Sequence, residues 1–161
     1  MRNGREAVYN ALLALLQEIL PSSQVQTFSR VWRPVTDYSP QQLPACVLDE
    51  TRENYKVQRI GAPPVYRLHV DLWLYLLAPQ ISQTPGQEPL IPMTAINTLL
   101  DLLDNSPLNN PPSVGPGPNL QTLGGLVQHV WIEGDTLKVA GGANSTVKYN
   151  LARVPILILT A

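Results

Sequence analysis

Two histidines and one cysteine are the side chains best suited to acid–base, metal or thiol chemistry near neutral pH. His69 and Asp71 lie two residues apart, so on an extended strand they project from one face and can share a proton or a cation. Two ligands fall short of the four usual for zinc, and neither a Cys nor a further His stands near them in sequence. Cys46 sits in the apolar run Leu43-Pro-Ala-Cys-Val-Leu48, where nothing lowers its pKa, and reads as a small buried residue. Gly124-Gly125 lacks the Lys-Ser/Thr tail of a phosphate loop and reads as a bend into a strand. No Gly-x-Ser-x-Gly elbow occurs, and Asp49, Glu50, Glu53 and Asp71 read as solvated surface rather than as an acid and base. The expectation is a protein that is not an enzyme, with no cofactor and no metal site.

The element that must position His69 and Asp71 is the stretch Val65 to Leu77. It places Tyr66, Leu68, Val70, Leu72, Leu74 and Leu76 on one side and Arg67, His69, Asp71, Trp73 and Tyr75 on the other, the period of a half-buried strand. Fully extended it runs about 40 Å at ~3.3 Å per residue, longer than most strands. The first side is core. The second mixes aromatic rings with a cation, an imidazole and a carboxylate, which suits a surface that meets another protein.

Charged residues make up 14% of the chain and the net charge is -1. Soluble proteins usually carry roughly 25% charged residues, so sparse charge points to a surface that becomes covered. The basic residues are few and scattered, which argues against tight binding to nucleic acid. One cysteine allows no internal disulfide and makes a reducing cytosol the default compartment. The apolar run near the N-terminus is too short and interrupted for a signal peptide or membrane span, so no membrane partner is expected. The sequon Asn144-Ser145-Thr146 carries little weight outside a secreted eukaryotic protein.

Residues Arg5 to Leu20 form a predicted helix with Val8, Leu12, Leu15, Leu16 and Ile19 on one face, ended by Pro21. Strands are expected at Val25 to Trp32 and Leu43 to Glu50, followed by a polar hairpin arm over Thr51 to Ile60. Proline-rich loops are expected at Ala78 to Pro92 and Asn105 to Asn119. Between them Thr94 caps a second predicted helix with Ile96, Leu99, Leu100 and Leu103 as its stripe. A strand near Leu126 to Ile132, turns at Gly134-Asp135 and at Gly141, Gly142 and Asn144, and a last strand from Val147 to Thr160 complete the chain. Pro155 places that last strand at an edge or a bulge. Trp131 is expected in the core, while Trp32 and Trp73 fit either core or interface. The fold class is α+β, a mainly antiparallel β-sheet with two α-helices packed on one face, in a single domain over residues 1–161.

Three strings in this order carry a resemblance. They are Tyr66-Arg-Leu-His-Val-Asp-Leu-Trp-Leu-Tyr75, then Ile-Asn-x-Leu-Leu-Asp-Leu-Leu from Ile96, then Gln121-Thr-Leu-Gly-Gly-Leu-Val-Gln-His-Val-Trp-Ile-Glu-Gly134. Together they resemble the tail terminator family (tail completion, minor tail protein U-like) of long-tailed bacteriophages. The resemblance spans nearly the whole chain, and the long proline-rich loops depart from it. It implies a virion protein, assembled in the bacterial host cytoplasm, that forms a homo-oligomeric ring, a hexamer, on the head-proximal end of the tail tube. Its implied partners are the tail tube protein and a head completion or connector protein, with DNA passing through the bore without specific binding. Arg67, His69, Asp71, Trp73 and Tyr75 are the expected contacts between subunits or rings. The alternatives are a neck or head-to-tail joining protein and, from another class, a small α+β ligand-binding domain or enzyme using His69 and Asp71.

Overall fold

A computed structural model describes residues 3–57, 59–62, 64–77, 93–109, 121–140 and 149–160. Their elements are α1 (Arg5–Ile19), β1 (Thr27–Ser29), β2 (Ala45–Lys56), β3 (Val65–Leu77), α2 (Thr94–Asp104), β4 (His129–Ile132), β5 (Leu137–Ala140) and β6 (Tyr149–Thr160). The strands form one sheet in the order β1-β2-β3-β6-β4, with β5 also paired to β6. All pairs are antiparallel except β1 with β2. The fold is α+β, with both helices on one face of the sheet.

That face is built from the alternation in β3. Leu68, Val70, Leu72 and Leu74 are buried, and the cross-strand rows Leu48–Leu72–Val154 and Cys46–Leu74–Ala152 run beneath the helices. Helix α1 contributes Val8, Leu12 and Leu16, and α2 contributes Ile96, Leu99 and Leu103. The stripe of α1 is narrower than expected, since Leu15 and Ile19 are only partly buried. Thr94 is not the cap of α2. The cap is Met93, and the Thr94 carbonyl accepts a bond from Thr98 Oγ1 at 3.0 Å inside the helix.

Strand boundaries differ from expectation for identifiable reasons. Strand β1 spans only Thr27–Ser29, because the Ser29 hydroxyl accepts the Val31 N–H at 3.0 Å and turns the chain out of the sheet. Val31 and Trp32 are left exposed. Strand β2 begins at Ala45 and runs on to Lys56, so most of the polar stretch expected as an arm pairs with β3. A bulge between Glu50 and Arg52 permits this. It shifts the side-chain phase, sending Glu53 and Tyr55 to the helix side and Arg52, Asn54 and Lys56 to the other. Strand β4 is shorter than expected, because the turn through Gly124 and Gly125, both at positive φ, runs on to Val127, whose N–H donates to the Thr122 carbonyl at 3.2 Å. Strand β5 is an element the sequence pattern did not announce.

Pro155 lies inside β6, which is a central strand rather than an edge. Its pairing resolves the conflict. β6 pairs with β5 through residues 150–153 and with β4 through residues 156–159, so Pro155 falls in the break between two short partners. Its carbonyl accepts from Glu133 N at 3.1 Å, so its nitrogen faces that break and not β3, and the ladder to β3 loses no donor. Gly134 at the same break has φ of 118°, and a Cβ there would lie 3.0 Å from Pro155 Cγ. Only glycine fits that close approach without strain.

The charges where α1 meets β2 are tied down. Arg5 makes a two-pronged contact with Glu53 at 2.7 and 2.9 Å through Nε, and Tyr9 donates to the same carboxylate at 3.3 Å. Arg30 donates to Glu50 Oε1, Glu6 Oε2 and Asn10 Oδ1, joining the segment after β1 to α1 and β2. Its guanidinium also lies 5.3 Å from the centre of the Tyr9 ring. Hydrogen bonding to Arg30 and to Arg5 holds the Glu6 and Glu53 carboxyls below their ordinary range. The expected loops at 78–92 and 110–119, the turn at Gly141 and Gly142, and the sequon at Asn144 lie outside the described residues.

Candidate functional site

The opposite face of the sheet has no helix over it among the described residues. Cross-strand register sets its rows: Asp49–Asp71–Pro155 in the middle, Arg52–His69–Leu157 on one side of it and Val47–Trp73–Arg153 on the other. The odd residues of β3 therefore share one face, as their spacing requires. Arg67 is exposed, and His69, Asp71 and Trp73 are half-buried.

Tyr75 is the correction. Only 2% of it is exposed, its hydroxyl donates to the Arg33 carbonyl at 2.9 Å, and its ring meets Tyr38 edge-on at 5.6 Å. Residues 33–43 cross over this end of the face, and Tyr38, Leu43, Ala45, Val47 and Tyr75 form a second small core beneath them. Burial, and next the neighbouring Tyr38, push the Tyr75 phenol up to about 12. A side chain so enclosed cannot contact another subunit. The proline-rich segment read as a plain loop contains two short 3-10 turns, Val35–Asp37 and Pro40–Gln42, which fold it down onto the sheet.

Beyond that lid the face opens into a concavity of about 600 Å³, with Arg52, Arg67, His69, Asp71, Glu133 and Arg153 in its lining. Its charges are not tied down as those between α1 and β2 are. Among the described residues the ion pairs are Arg5–Glu53, Arg30–Glu6 and Arg30–Glu50, and none lies on this face. The buried Arg153 Nε and Trp73 Nε1 have no hydrogen-bond partner among the described residues. His69 Nε2 lies 3.4 Å from Asn54 Nδ2, and the His69 carbonyl accepts from Thr51 Oγ1 at 3.0 Å. Such a surface offers guanidinium forks to carboxylates, carboxylates to cations, and the Trp73 ring to an apolar group.

Burial lowers the His69 pKa, and the cations Arg52 and Arg67 lower it further. Burial raises the Asp71 pKa; Arg153 opposes this and Asp49, directly across the strand pair, adds to it. Because the folded chain holds the Asp71 proton more tightly than the unfolded chain, stability from this group is full below 3.8 and declines as pH rises through the raised value. The melting temperatures of Asp71→Asn and the parent should thus agree in acid and diverge in favour of the variant as pH rises. A difference independent of pH would contradict the assignment.

His129 and Trp131 of β4 stand on this same face, stacked at 4.8 Å and both buried, so Trp131 is enclosed as expected. His129 is not brought to His69: it sits across β6 from Arg67, opposite Leu159. Among the described residues no group of three or more His, Cys, Asp and Glu side chains is gathered for a metal ion. Burial raises the Cys46 thiol pKa. Sequence reasoning missed Arg52, Glu133 and Arg153. The lone Arg153 in an otherwise apolar strand was a usable signal, whereas Arg52 was hidden by the bulge.

Comparison of the chain with family models and with curated proteins finds no match. No described helix is long and apolar enough to cross a membrane.

Proposed function

We propose that this protein is a phage tail terminator: a structural virion protein whose copies close into a hexameric ring on the head-proximal end of the tail tube. The ring stops tube growth and offers a docking surface to head completion or connector proteins. The observation that carries this reading is the contrast between the two sheet faces. Between α1 and β2 the charges are matched as Arg5–Glu53, Arg30–Glu6 and Arg30–Glu50, while Arg67, Asp71 and Arg153 on the open face form no ion pair among the described residues. The half-buried Asp71 and Arg153 are costly to leave without a direct ion pair, and a neighbouring subunit can supply one. The resemblance of the β3, α2 and β4 strings to the terminator family supports the same reading. A ring with unlike faces explains termination: one face matches the last tube ring and the other recruits no further copy.

Subunit contacts are assigned to Arg67, His69, Asp71 and Trp73, with Arg52 and Arg153 added. Charge reversal by Arg67→Glu or Asp71→Lys should weaken ring formation or tube capping by about tenfold or more. Rings and capped tubes unchanged in both variants would count against the assignment.

A second reading, a small-ligand site, is favoured by one observation: His69 and Asp71 line the same concavity as three arginines. Alanine at both positions distinguishes them, since a ligand site loses binding altogether while a ring protein loses at most part of its assembly.

A further inference from the structure

We infer that the tip of the β2–β3 hairpin docks onto the β5 corner of a second copy, in a head-to-tail contact. This rests on the ring reading above and specifies how neighbouring subunits would meet. The tip exposes apolar surface: Val57 is 63% exposed and Ile60 fully, beside Tyr55, which is 60% exposed although its ring meets Tyr66 edge-on at 5.0 Å. It is also basic. Lys56 and Arg59 are exposed there, whereas Glu53, the acid nearest the tip, is already held by Arg5.

The β5 corner is the counterpart. Leu137 and Val139 are exposed at 45% and 38% on the open face, and the outer edge of β5 has no strand beside it among the described residues. Glu133 and Asp135, both exposed, precede this strand. Lys138 turns to the helix side, where it donates to Asn97 at 2.8 Å. An apolar pair with two acids on the turn leading into it, and with Lys138 drawn to the other face, meets an apolar tip that carries two bases. Exposed apolar patches with charged rims mark protein contacts, and opposite charges on the rims fix their orientation.

The two surfaces cannot meet within one chain. Leu137 pairs with Arg153, and Arg153 pairs with Trp73, which is eight residues along β3 from Val65 at the base of the tip. At ~3.3 Å per residue that is roughly 26 Å along a rigid sheet. Since the surfaces are different and lie at opposite ends of the strands, the contact is heterologous and propagates from copy to copy, the arrangement that closes into rings.

The test joins two chains, both carrying Cys46→Ala: one with Ile60→Cys and the other with Leu137→Cys, mixed with and without tail tubes, oxidised, and weighed under native conditions. Gln17→Cys, on the exposed side of α1, replaces Leu137→Cys as the control. A disulfide-linked heterodimer formed with Leu137→Cys and not with Gln17→Cys supports the docking. Separately, Val57→Asp with Ile60→Asp should raise the concentration needed for assembly by about tenfold or more. Assembled chains that give no link above the control, and that tolerate the double aspartate variant, overturn the docking and leave the ring reading standing. Chains that remain monomeric with and without tubes overturn both.

Discussion

Replacing Leu72 with alanine is expected to lower the free energy of unfolding by about 3 to 5 kcal/mol. Leu72 is completely buried midway along the central strand β3, with Leu48 of β2 on one side and Val154 of β6 on the other. The helices close over this row with their own fully enclosed leucines, and the surrounding strands are paired on both sides, so the site has little freedom to collapse into the space left behind. The expected loss therefore lies toward the upper end of the range for Leu→Ala, where lost transfer energy and an unfilled cavity add. Against a typical total of ~5 to 15 kcal/mol it is a large fraction. Leu77→Ala is the internal control: it sits in the same strand but is 39% exposed, and its loss should stay below about 1 kcal/mol. Urea unfolding of the three proteins reads both values, and a Leu72→Ala loss no larger than that of Leu77→Ala would contradict the placement of the core.

Arg30→Ala is expected to cost about 1.5 to 3 kcal/mol. The guanidinium is largely enclosed, with 18% of its side chain exposed, and it serves Glu50 and Glu6 together with Asn10. Its removal leaves Glu50, one-third exposed, without its cation and takes away one of the two polar links between α1 and β2, the other being Arg5 and Tyr9 to Glu53. Lysine should restore only part of the loss, since a single ammonium cannot reproduce the fork that reaches two carboxylates. A pH signature accompanies the change. The Glu6 carboxyl is held below its ordinary 4.5 chiefly by its hydrogen bond to Arg30, so its stabilisation is present above 4.5 and is lost as pH falls through the lower folded value. In the variant that part of the acid dependence should vanish. Equal stability of Arg30→Ala and the parent in urea at neutral pH would remove the network from the account.

Much of this architecture was readable because period and burial coincide. Strand β3 has the bounds the alternation predicts, α1 and α2 lie where their stripes place them, and the α+β class follows from their order. What was not readable depends on tertiary pairing. The bulge near Thr51 exchanges the two faces of β2 halfway along, which no alternation rule anticipates, and it decides that Arg52 joins the site while Glu53 leaves it. The missing donor of Pro155 predicts an edge or a bulge; the break between β4 and β5 supplies the same relief inside the sheet. Tyr75 was assigned to the open face, and it does point that way, but residues 33–43 fold over it. Their 3-10 turns are fixed by such local bonds as Ser39 N to Gln42 Oε1 at 2.9 Å, which leave no periodic trace. Of the five residues assigned to contacts, four stand on the uncovered part of the face, and the three missed partners came from strands and turns distant in sequence.

The central claim is that copies of this chain close into a ring that caps a tail tube. Native mass of the purified protein, with negative-stain images of it alone and mixed with tail tubes, tests this most directly. The account predicts hexameric rings, free or seated on tube ends. A chain that stays monomeric at every concentration and leaves tube ends bare would contradict it.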